Sequence, residues 1–309
     1  MKKLSILLLL CLFLNDLYLN AESMTAEDYY NDGVAYYKKG DYNSAITNYS
    51  QAIKLNPNYV EAYDNRGVAY SKKGDYDNAI ADYNQAIKLR PNNAIIYYNR
   101  GDAYYKKEDY NGAIVDFNQA IKLDPNYTHA YNNRGDAYYK KEDYNSAIAD
   151  YSQAIKLDPN YIRAYYNRGD AYQGKGDYNS AIADYDQAIK LNPNYVSAYY
   201  NRGIVYELKG DYTNAIADYS QVIKLDPNFT SAYYNRGAAY YDKGNYDSAI
   251  ADYSQAIRLI PNDADAYINR GNAYYKKGDN AKAKADYEQA LKIDPNNTTA
   301  KDNLKLIPK

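Results

Sequence analysis

One spacing constrains this chain more than any other feature: a proline recurs every 34 residues, eight times. These prolines are Pro57, Pro91, Pro125, Pro159, Pro193, Pro227, Pro261 and Pro295. With each proline numbered position 32, eight copies of one unit follow without insertion, at residues 26–59, 60–93, 94–127, 128–161, 162–195, 196–229, 230–263 and 264–297. Such a period indicates one elongated array, because each unit can bury its apolar face only against its neighbours.

The third copy shows what one unit is expected to form. Residues 95–107 have helical spacing, residues 108–110 interrupt it, and residues 111–123 resume it before the proline. Four copies have Gly-Asp-Tyr at the interruption, where glycine suits a left-handed cap and aspartate caps the next helix. Glu108 and Glu142 replace that glycine, so these two corners should carry mild strain or a different cap. The chain is therefore predicted to be all-α, a series of antiparallel helix hairpins.

A glycine at position 8 stands within the first helix of every copy, from Gly33 to Gly271. Glycine costs about 1 kcal/mol in a helix relative to alanine, so the contact it permits must return more. We predict a tight crossing in which Gly101 lies against Ala113 at position 20 of the second helix. Aromatic residues at positions 4, 11, 17 and 24 complete the apolar stripe around this crossing.

Arginine at position 7 occurs together with aspartate at position 23 of the same copy. The pairs are Arg66 with Asp82, Arg100 with Asp116, Arg134 with Asp150, Arg168 with Asp184, Arg202 with Asp218, Arg236 with Asp252 and Arg270 with Asp286. In the first copy both residues change, to Asp32 and Asn48. We interpret them as structural ion pairs within a hairpin or with the next one, because guanidinium matches a carboxylate with two parallel donors. The alternative is a row of arginines facing a ligand.

The small, aromatic and proline residues at positions 4, 8, 11, 20, 24, 27 and 32 resemble those of the tetratricopeptide repeat in all eight copies. Arginine at position 7 departs from the leucine usual in that family. The resemblance implies a right-handed α-solenoid, a superhelix whose first helices line a concave groove, and a function in binding proteins or peptides. The family's recognition of chaperone tail carboxylates is not carried over, since position 6 is asparagine and Arg163 is the only basic residue at position 2.

Residues outside the apolar stripe mark the candidate peptide-binding groove. Asparagine occupies position 6 in every copy, additional tyrosines occupy positions 5, 12 and 34, and aspartate occupies position 9 in three middle copies. The candidate groove residues are Asn65, Asn99, Asn133, Asn167, Asn201, Asn235, Tyr98, Tyr105, Tyr139, Tyr166, Tyr200, Asp102, Asp136 and Asp170. Amides one repeat apart can hold an extended peptide backbone, as the asparagine ladder does in tetratricopeptide proteins that grip unfolded polypeptide. The alternative is that the asparagines bridge neighbouring first helices while the tyrosines pack between repeats.

The aspartates at position 9 make the middle of this groove acidic. Asp102 and Asp136 each have a lysine four residues further on, which is the spacing of a helix-surface ion pair. Asp170 has Gly174 there and is expected to stay unpaired. We therefore expect basic or mixed-charge peptide segments to bind better than acidic ones.

The two ends of the chain differ from the repeats. Lys2 and Lys3 precede an apolar run at residues 4–14, and small Ala21 follows polar residues, which predicts a signal peptide over residues 1–21. The protein is then expected to be exported, periplasmic or secreted. The apolar run is too short to span a membrane, so no membrane insertion of the mature chain is expected. Lipidation of Cys11 is the alternative. Residues 22–25 are predicted to be an N-terminal cap, and residues 298–309 a capping helix and tail.

Composition argues against several classes of function. Lys and Arg number 37 against 39 Asp and Glu, which does not suit nucleic-acid binding. One cysteine and one histidine, His129, leave no metal-ligand or acid–base set, so we expect no metal, cofactor or catalysis. The predicted function is a non-catalytic scaffold for a protein or peptide partner whose identity the sequence does not give. The alternatives are a glycan-binding aromatic groove and a structural solenoid that associates weakly with itself through its ends.

Overall fold

The computed structural model describes residues 24–308, which hold seventeen α-helices and no β-strand. The helices are α1 (Ala26–Lys38), α2 (Tyr42–Leu55), α3 (Val60–Lys72), α4 (Tyr76–Leu89), α5 (Ala94–Lys106), α6 (Tyr110–Leu123), α7 (Thr128–Lys140), α8 (Tyr144–Leu157), α9 (Ile162–Lys175), α10 (Tyr178–Leu191), α11 (Val196–Leu208), α12 (Tyr212–Leu225), α13 (Thr230–Asp242), α14 (Tyr246–Leu259), α15 (Ala264–Lys276), α16 (Asn280–Ile293) and α17 (Thr298–Leu306). Odd-numbered helices α1–α15 are the first helices of the repeats, and even-numbered helices are the second. The predicted all-α fold of helix hairpins is confirmed, while the predicted signal peptide and Cys11 lie outside the described residues.

The chain divides into two compact units, Met1–Lys141 and Glu142–Lys309. Helices α1–α7 belong to the first unit and α8–α17 to the second. Within each unit, helices that follow one another in the chain pack together, and the first helices of successive repeats lie side by side. The fourth repeat contributes its first helix to one unit and its second helix to the other.

The hairpin corners combine a left-handed residue with a capping side chain. Gly74 has φ of 79°, and the Asp75 carboxylate after it accepts a hydrogen bond from the backbone of Asn78, so both features predicted from Gly-Asp-Tyr are present. Glu108 and Glu142 take the same conformation, with φ of 65° and 61°. Because a side chain disfavours this backbone conformation, the mild strain predicted for these two corners is confirmed. At the start of α1, Thr25 and Asp28 form a capping box.

Replacing Glu108 by glycine is expected to stabilise the first unit by about 1 kcal/mol, because glycine adopts positive φ without a steric penalty. Urea unfolding followed by circular dichroism measures the change. Gly74→Glu, at the equivalent corner of the preceding repeat, is the matched reverse substitution and should destabilise by a similar amount. Equal stability of Glu108→Gly and wild type would show that the glutamate side chain compensates for the strain.

The glycine at position 8 makes room for an aromatic ring. A Cβ built on Gly101 would lie 2.8 Å from the Phe117 ring, and the next atoms in order of distance belong to Phe117 and Asp116. The prediction that Ala113 is its main partner is therefore corrected: the ring at position 24 comes closest. Gly203 has the same relation to Tyr219, since a Cβ on this glycine would lie 2.7 Å from the tyrosine ring, which is fully buried.

Gly203→Ala is expected to destabilise the second unit by about 1 to 3 kcal/mol, because the added methyl overlaps a ring that cannot move away. Gly237→Ala is a matched control, since its Cβ would lie 3.1 Å from the Tyr253 ring rather than 2.7 Å. Both variants gain the same helix propensity, so the difference between their free energies of unfolding isolates the steric overlap. Urea unfolding should show Gly203→Ala as clearly the less stable of the two.

Candidate functional site

The arginines at position 7 meet the aspartates at position 23 in both units. Arg66 donates from Nε and Nη2 to the two carboxylate oxygens of Asp82, at 2.8 and 2.7 Å. The same two-bond geometry joins Arg100 with Asp116, Arg168 with Asp184, Arg202 with Asp218, Arg236 with Asp252 and Arg270 with Asp286. Of the two residues of the remaining predicted pair, Arg134 belongs to the first unit and Asp150 to the second.

Each of these arginines also contacts the preceding repeat. The third nitrogen, Nη1, of Arg66 donates to Ser50 Oγ at 2.8 Å, and that of Arg168 donates to Ser152 Oγ at 2.9 Å. Both acceptors stand at position 25, which is Ser, Asn or Asp in the first seven copies and Glu288 in the last. The contact between position 7 and position 25 of the preceding repeat was not predicted, although the recurrence of small polar residues at position 25 could have indicated it. With all three nitrogens engaged inside the array, the geometry supports the structural interpretation of the arginines.

Burial acts on the acidic partners of these arginines. It raises the pKa of the Asp116 carboxyl, while the hydrogen bonds and positive charge of Arg100 oppose that rise. The same balance holds for Asp184 and Arg168. The ionised form of a buried carboxylate therefore depends on the guanidinium beside it to offset the cost of burial.

The asparagines at position 6 form a ladder between successive first helices. Asn65 donates to the Tyr30 hydroxyl at 2.9 Å, and Asn133 donates to Tyr98 at the same distance. In the second unit, Asn201 donates to Tyr166, Asn235 to Tyr200 and Asn269 to Tyr234. In the second and third repeats, Asn99 donates to the carboxylate of Asp64 instead. These amides bridge neighbouring first helices, as in the second of the two interpretations that the sequence left open. The remaining candidate asparagine, Asn167, lies in α9.

The tyrosines at position 5 are held by two further rings as well as by this ladder. Tyr98 lies 5.8 Å from Phe117 at position 24 and 4.9 Å from Tyr127 at position 34, measured between ring centroids. Tyr166 and Tyr200 are arranged in the same way. Aromatic contacts of this geometry stabilise packing beyond the area they bury. The tyrosines at positions 5 and 34 therefore pack within their own repeat, the hydroxyls at position 5 also bind the next repeat through the ladder, and only part of each ring is left to a ligand.

The acidic residues at position 9 also have partners inside the protein. Asp102 pairs with Lys106 at 2.7 Å, and Asp136 accepts a hydrogen bond from Asn132 at 3.3 Å. The expectation that Asp170 stays unpaired is wrong. Its carboxylate accepts hydrogen bonds from the Tyr185 hydroxyl at 2.6 Å and from Asn201 at 2.8 Å. Spacing along one helix did not reveal these partners, because they come from the second helix and from the next repeat.

Open clefts lie between neighbouring first helices in both units. In the first unit, a cleft of about 180 Å³ is lined by Val34, Tyr37, Lys38, Tyr49, Asn65 and Val68. In the second unit, a cleft of about 330 Å³ is lined by Tyr241, Asn272 and Tyr275 of first helices together with residues of α17, including Asn303 and Leu306. Positions 9 and 12 of first helices line both. We call the surface at positions 2, 5, 6, 9, 12 and 13 of the first helices the first-helix face; Tyr105 and Tyr139 also stand at position 12.

Two further properties concern the described residues as a whole. No helix within residues 24–308 has the length and apolar character needed to cross a membrane. Within the same residues, no three or more His, Cys, Asp or Glu side chains are grouped so as to hold a metal ion.

Tandem helix hairpins joined through recurring positions of each repeat define a helical repeat protein. A family model described as "TPR repeat" matches residues 33–74, 70–108, 101–142, 135–176 and 237–278. Models described as "Tetratricopeptide repeat" match residues 166–229, 219–251 and 264–297. The chain belongs to the tetratricopeptide repeat family, whose members are generally non-catalytic scaffolds for protein–protein interaction. A comparison with curated proteins returned no match.

Several solved structures share this fold. YrrB, described as "a TPR protein with an unusual peptide-binding site", is 25% identical, with a TM-score of 0.56, over 62% of this chain and 98% of YrrB. MamA is 33% identical, with a TM-score of 0.52, over 54% of this chain and 91% of MamA. The C-terminal part of a TPR repeat-containing protein from Cytophaga hutchinsonii is 22% identical, with a TM-score of 0.59, over 90% of this chain and all of that one (100%). The last similarity concerns the fold alone.

Proposed function

We propose that this protein is an exported, non-catalytic scaffold that binds extended segments of other polypeptides along its first-helix face. The observation that carries the proposal is the pair of clefts between neighbouring first helices, one in each unit. Their walls combine aromatic rings with primary amides, the mixture that gives a peptide both contact area and backbone hydrogen bonds. The peptide-binding site named for the similar protein YrrB supports the same class of ligand.

The ladder determines which residues of the first-helix face contact a peptide. Position-6 amides and position-5 phenols hold successive repeats together, so they serve mainly as the rigid floor of the face. Residues at positions 9 and 12, such as Val34, Tyr37 and Tyr275, line the clefts and supply most of the contact area. A preformed surface of this kind loses little entropy when it binds, which favours affinity for a flexible segment.

Charge on this face suits segments of mixed charge. Lys38 and Lys276 line the two clefts, whereas acidic side chains stand at position 9 of the middle repeats. Asp102 and Asp170 are partly satisfied within the protein, which weakens the preference for basic or mixed-charge over acidic segments expected from the sequence. Binding should therefore fall only moderately as salt is added.

Export rests on the first 21 residues, where two lysines precede the short apolar run. Expression of the full chain in a bacterial host, followed by cell fractionation and N-terminal sequencing, tests it. A mature protein that begins near residue 22 outside the cytoplasm supports export. Intact protein retained in the cytoplasm would contradict it.

Tyr275→Ala tests the peptide-binding face. We expect this variant to lose about tenfold or more in affinity for unstructured peptides selected from a display library on the wild-type protein, because a tyrosine at the centre of an interface contributes strongly to binding. Tyr36→Ala is a matched control, since Tyr36 and Tyr275 are 38% and 36% exposed but Tyr36 does not line either cleft. Isothermal titration calorimetry measures the affinities.

The outcomes separate peptide binding from its alternatives. Equal affinity of both variants and wild type would place the site elsewhere on the protein. Failure of any peptide to bind, with binding of glycans on an array, would favour the glycan alternative. Mass that increases with protein concentration would favour self-association.

A further inference from the structure

One repeat lacks an aromatic ring that others use to cover the tyrosine at position 5. In four repeats with tyrosine at position 5, an aromatic residue at position 34 packs on it, with ring centroids 4.9, 4.9, 5.1 and 5.0 Å apart. The seventh repeat keeps Tyr234 at position 5 but has Asp263 at position 34. No other copy combines tyrosine at position 5 with a non-aromatic residue at position 34.

A cleft of about 350 Å³ occupies this part of the second unit. Tyr234, Ile260, Asp263 and Asp265 are among its lining residues. Ile260 is 47% exposed, so the cleft has an apolar wall open to solvent. The volume is within the range of small ligand sites, and large enough for a planar side chain.

The two carboxylates in this cleft have acceptor capacity to spare. Asp263 caps α15 through Oδ1, which accepts from the backbone of Asp265 and Ala266. Its Oδ2 accepts no hydrogen bond from the described residues, and neither aspartate pairs with a lysine or arginine of residues 24–308. Both aspartates line the same cleft as Tyr234. Burial, and then the charges of Asp265 and Asp263, raise the pKa of the Tyr234 phenol.

We propose that this cleft binds the guanidinium of an arginine side chain on a bound polypeptide, an inference that rests on the proposed function. An uncovered tyrosine ring offers the guanidinium a stacking surface, and two carboxylates offer it acceptors. The N-terminus of α15 carries a partial positive charge of about half a unit, which two full negative charges outweigh. Arginine fits better than lysine because its planar group can stack and form hydrogen bonds together.

Asp263→Tyr restores the aromatic ring found at position 34 of the two preceding repeats and removes one carboxylate. The fold tolerates an aromatic residue at this N-cap, since Tyr195 and Phe229 occupy the same position without a capping side-chain hydrogen bond. Asp265→Asn is a second variant that removes charge without filling the cleft. Asp124→Asn is the control, because Asn56 makes the same turn hydrogen bond at the equivalent position of the first repeat.

The experiment selects unstructured peptides from a display library on the wild-type protein. The best arginine-containing peptide is then compared with versions in which that arginine is lysine, glutamine or phenylalanine. We expect the arginine peptide to bind wild type and Asp124→Asn about tenfold more tightly than the glutamine version. This preference should be lost in Asp263→Tyr and reduced in Asp265→Asn, while the glutamine version binds all four proteins alike.

Each outcome decides one of the two proposals. Peptides that bind without an arginine preference, or with a preference that survives Asp263→Tyr, overturn the arginine site and leave the proposed function intact. Tighter binding of the phenylalanine version would show that the cleft binds an aromatic ring, in the place of the missing one, rather than a cation, and would overturn the arginine site. Absence of peptide binding overturns the proposed function and the arginine site with it.

Discussion

Raising the pH to about 11 is expected to unfold the protein, because many of its tyrosines are held as neutral phenols inside the repeats. Burial raises the pKa of Tyr127 and of Tyr287 to about 12. It also raises the pKa of Tyr83, Tyr185 and Tyr219 well above the usual range. Tyrosinate absorbance and loss of helical circular dichroism should therefore appear together in one cooperative transition.

The sign follows from the two states of each phenol. The folded pKa lies above the unfolded value of about 10, so the fold favours the neutral phenol and its contribution is complete below pH 10. As pH rises from there towards the folded pKa, the unfolded chain releases protons that the folded chain retains, and stability falls. Each unit of difference in pKa is worth about 1.4 kcal/mol for one tyrosine. Several buried phenols together then remove an amount comparable to the roughly 5 to 15 kcal/mol typical of a folded domain.

Tyr253→Phe separates this effect from the loss of lysine charge at the same pH. Phe117 already occupies the equivalent position in the third repeat, so phenylalanine fits the site. The variant should match wild type in urea unfolding near pH 7 and unfold at a higher pH in the alkaline titration. A simple titration of all tyrosines near pH 10, with helical signal unchanged, would contradict the expectation, since it would mean that the phenols ionise within the folded protein.

Much of the repeat could be predicted because its signals are local. Proline, corner glycine and capping aspartate each determine backbone conformation within a few residues, so the helix hairpins and the strained corner at Glu108 follow from the sequence. Pairing of position 7 with position 23 could also be inferred, since eight copies provide their own comparison and the first copy changes both residues to Asp32 and Asn48. The structure brings Arg66 and Asp82 into contact accordingly.

Contacts between repeats were harder to predict, because they depend on how one hairpin lies on the next. Asn201 is an example: its amide could equally face a ligand or bridge two helices, and only the placement of α9 beside α11 puts it on Tyr166 and Asp170. The partner of Gly101 is another, since periodicity shows that a small residue is needed but not which side chain fills the space. In a repeat protein these nearest-neighbour contacts determine both stability and the surface left for a ligand.

Breaking one arginine–aspartate pair is expected to have the largest effect of any single substitution. Arg168→Met leaves the Asp184 carboxylate, whose side chain is 6% exposed, without its two charged hydrogen bonds. Removing one partner of a buried ion pair typically costs about 3 to 5 kcal/mol. Urea unfolding of the variant at neutral pH measures the loss.

Arg90→Met is the matched control for the arginine substitution. Arg90 pairs with Glu61 at 2.8 Å, but their side chains are 49% and 45% exposed, so water screens the pair. This substitution should cost no more than about 1 kcal/mol. Similar losses for Arg168→Met and Arg90→Met would show that burial of the pair is unimportant.

The double variant Arg168→Met with Asp184→Leu should recover much of the stability, because replacing a whole buried pair by apolar side chains is often neutral or better. A double-mutant cycle with no coupling between the two positions would reject the structural role of the pair.

The pH dependence of the Arg168→Met variant gives an independent check. Burial already raises the pKa of Asp184, and without Arg168 nothing opposes that rise. The penalty for the ionised carboxylate is then absent below the unfolded pKa of about 3.9, grows as pH rises from there to the raised folded pKa, and is complete above it. Arg168→Met should therefore approach wild-type stability at acidic pH and lose most at neutral pH.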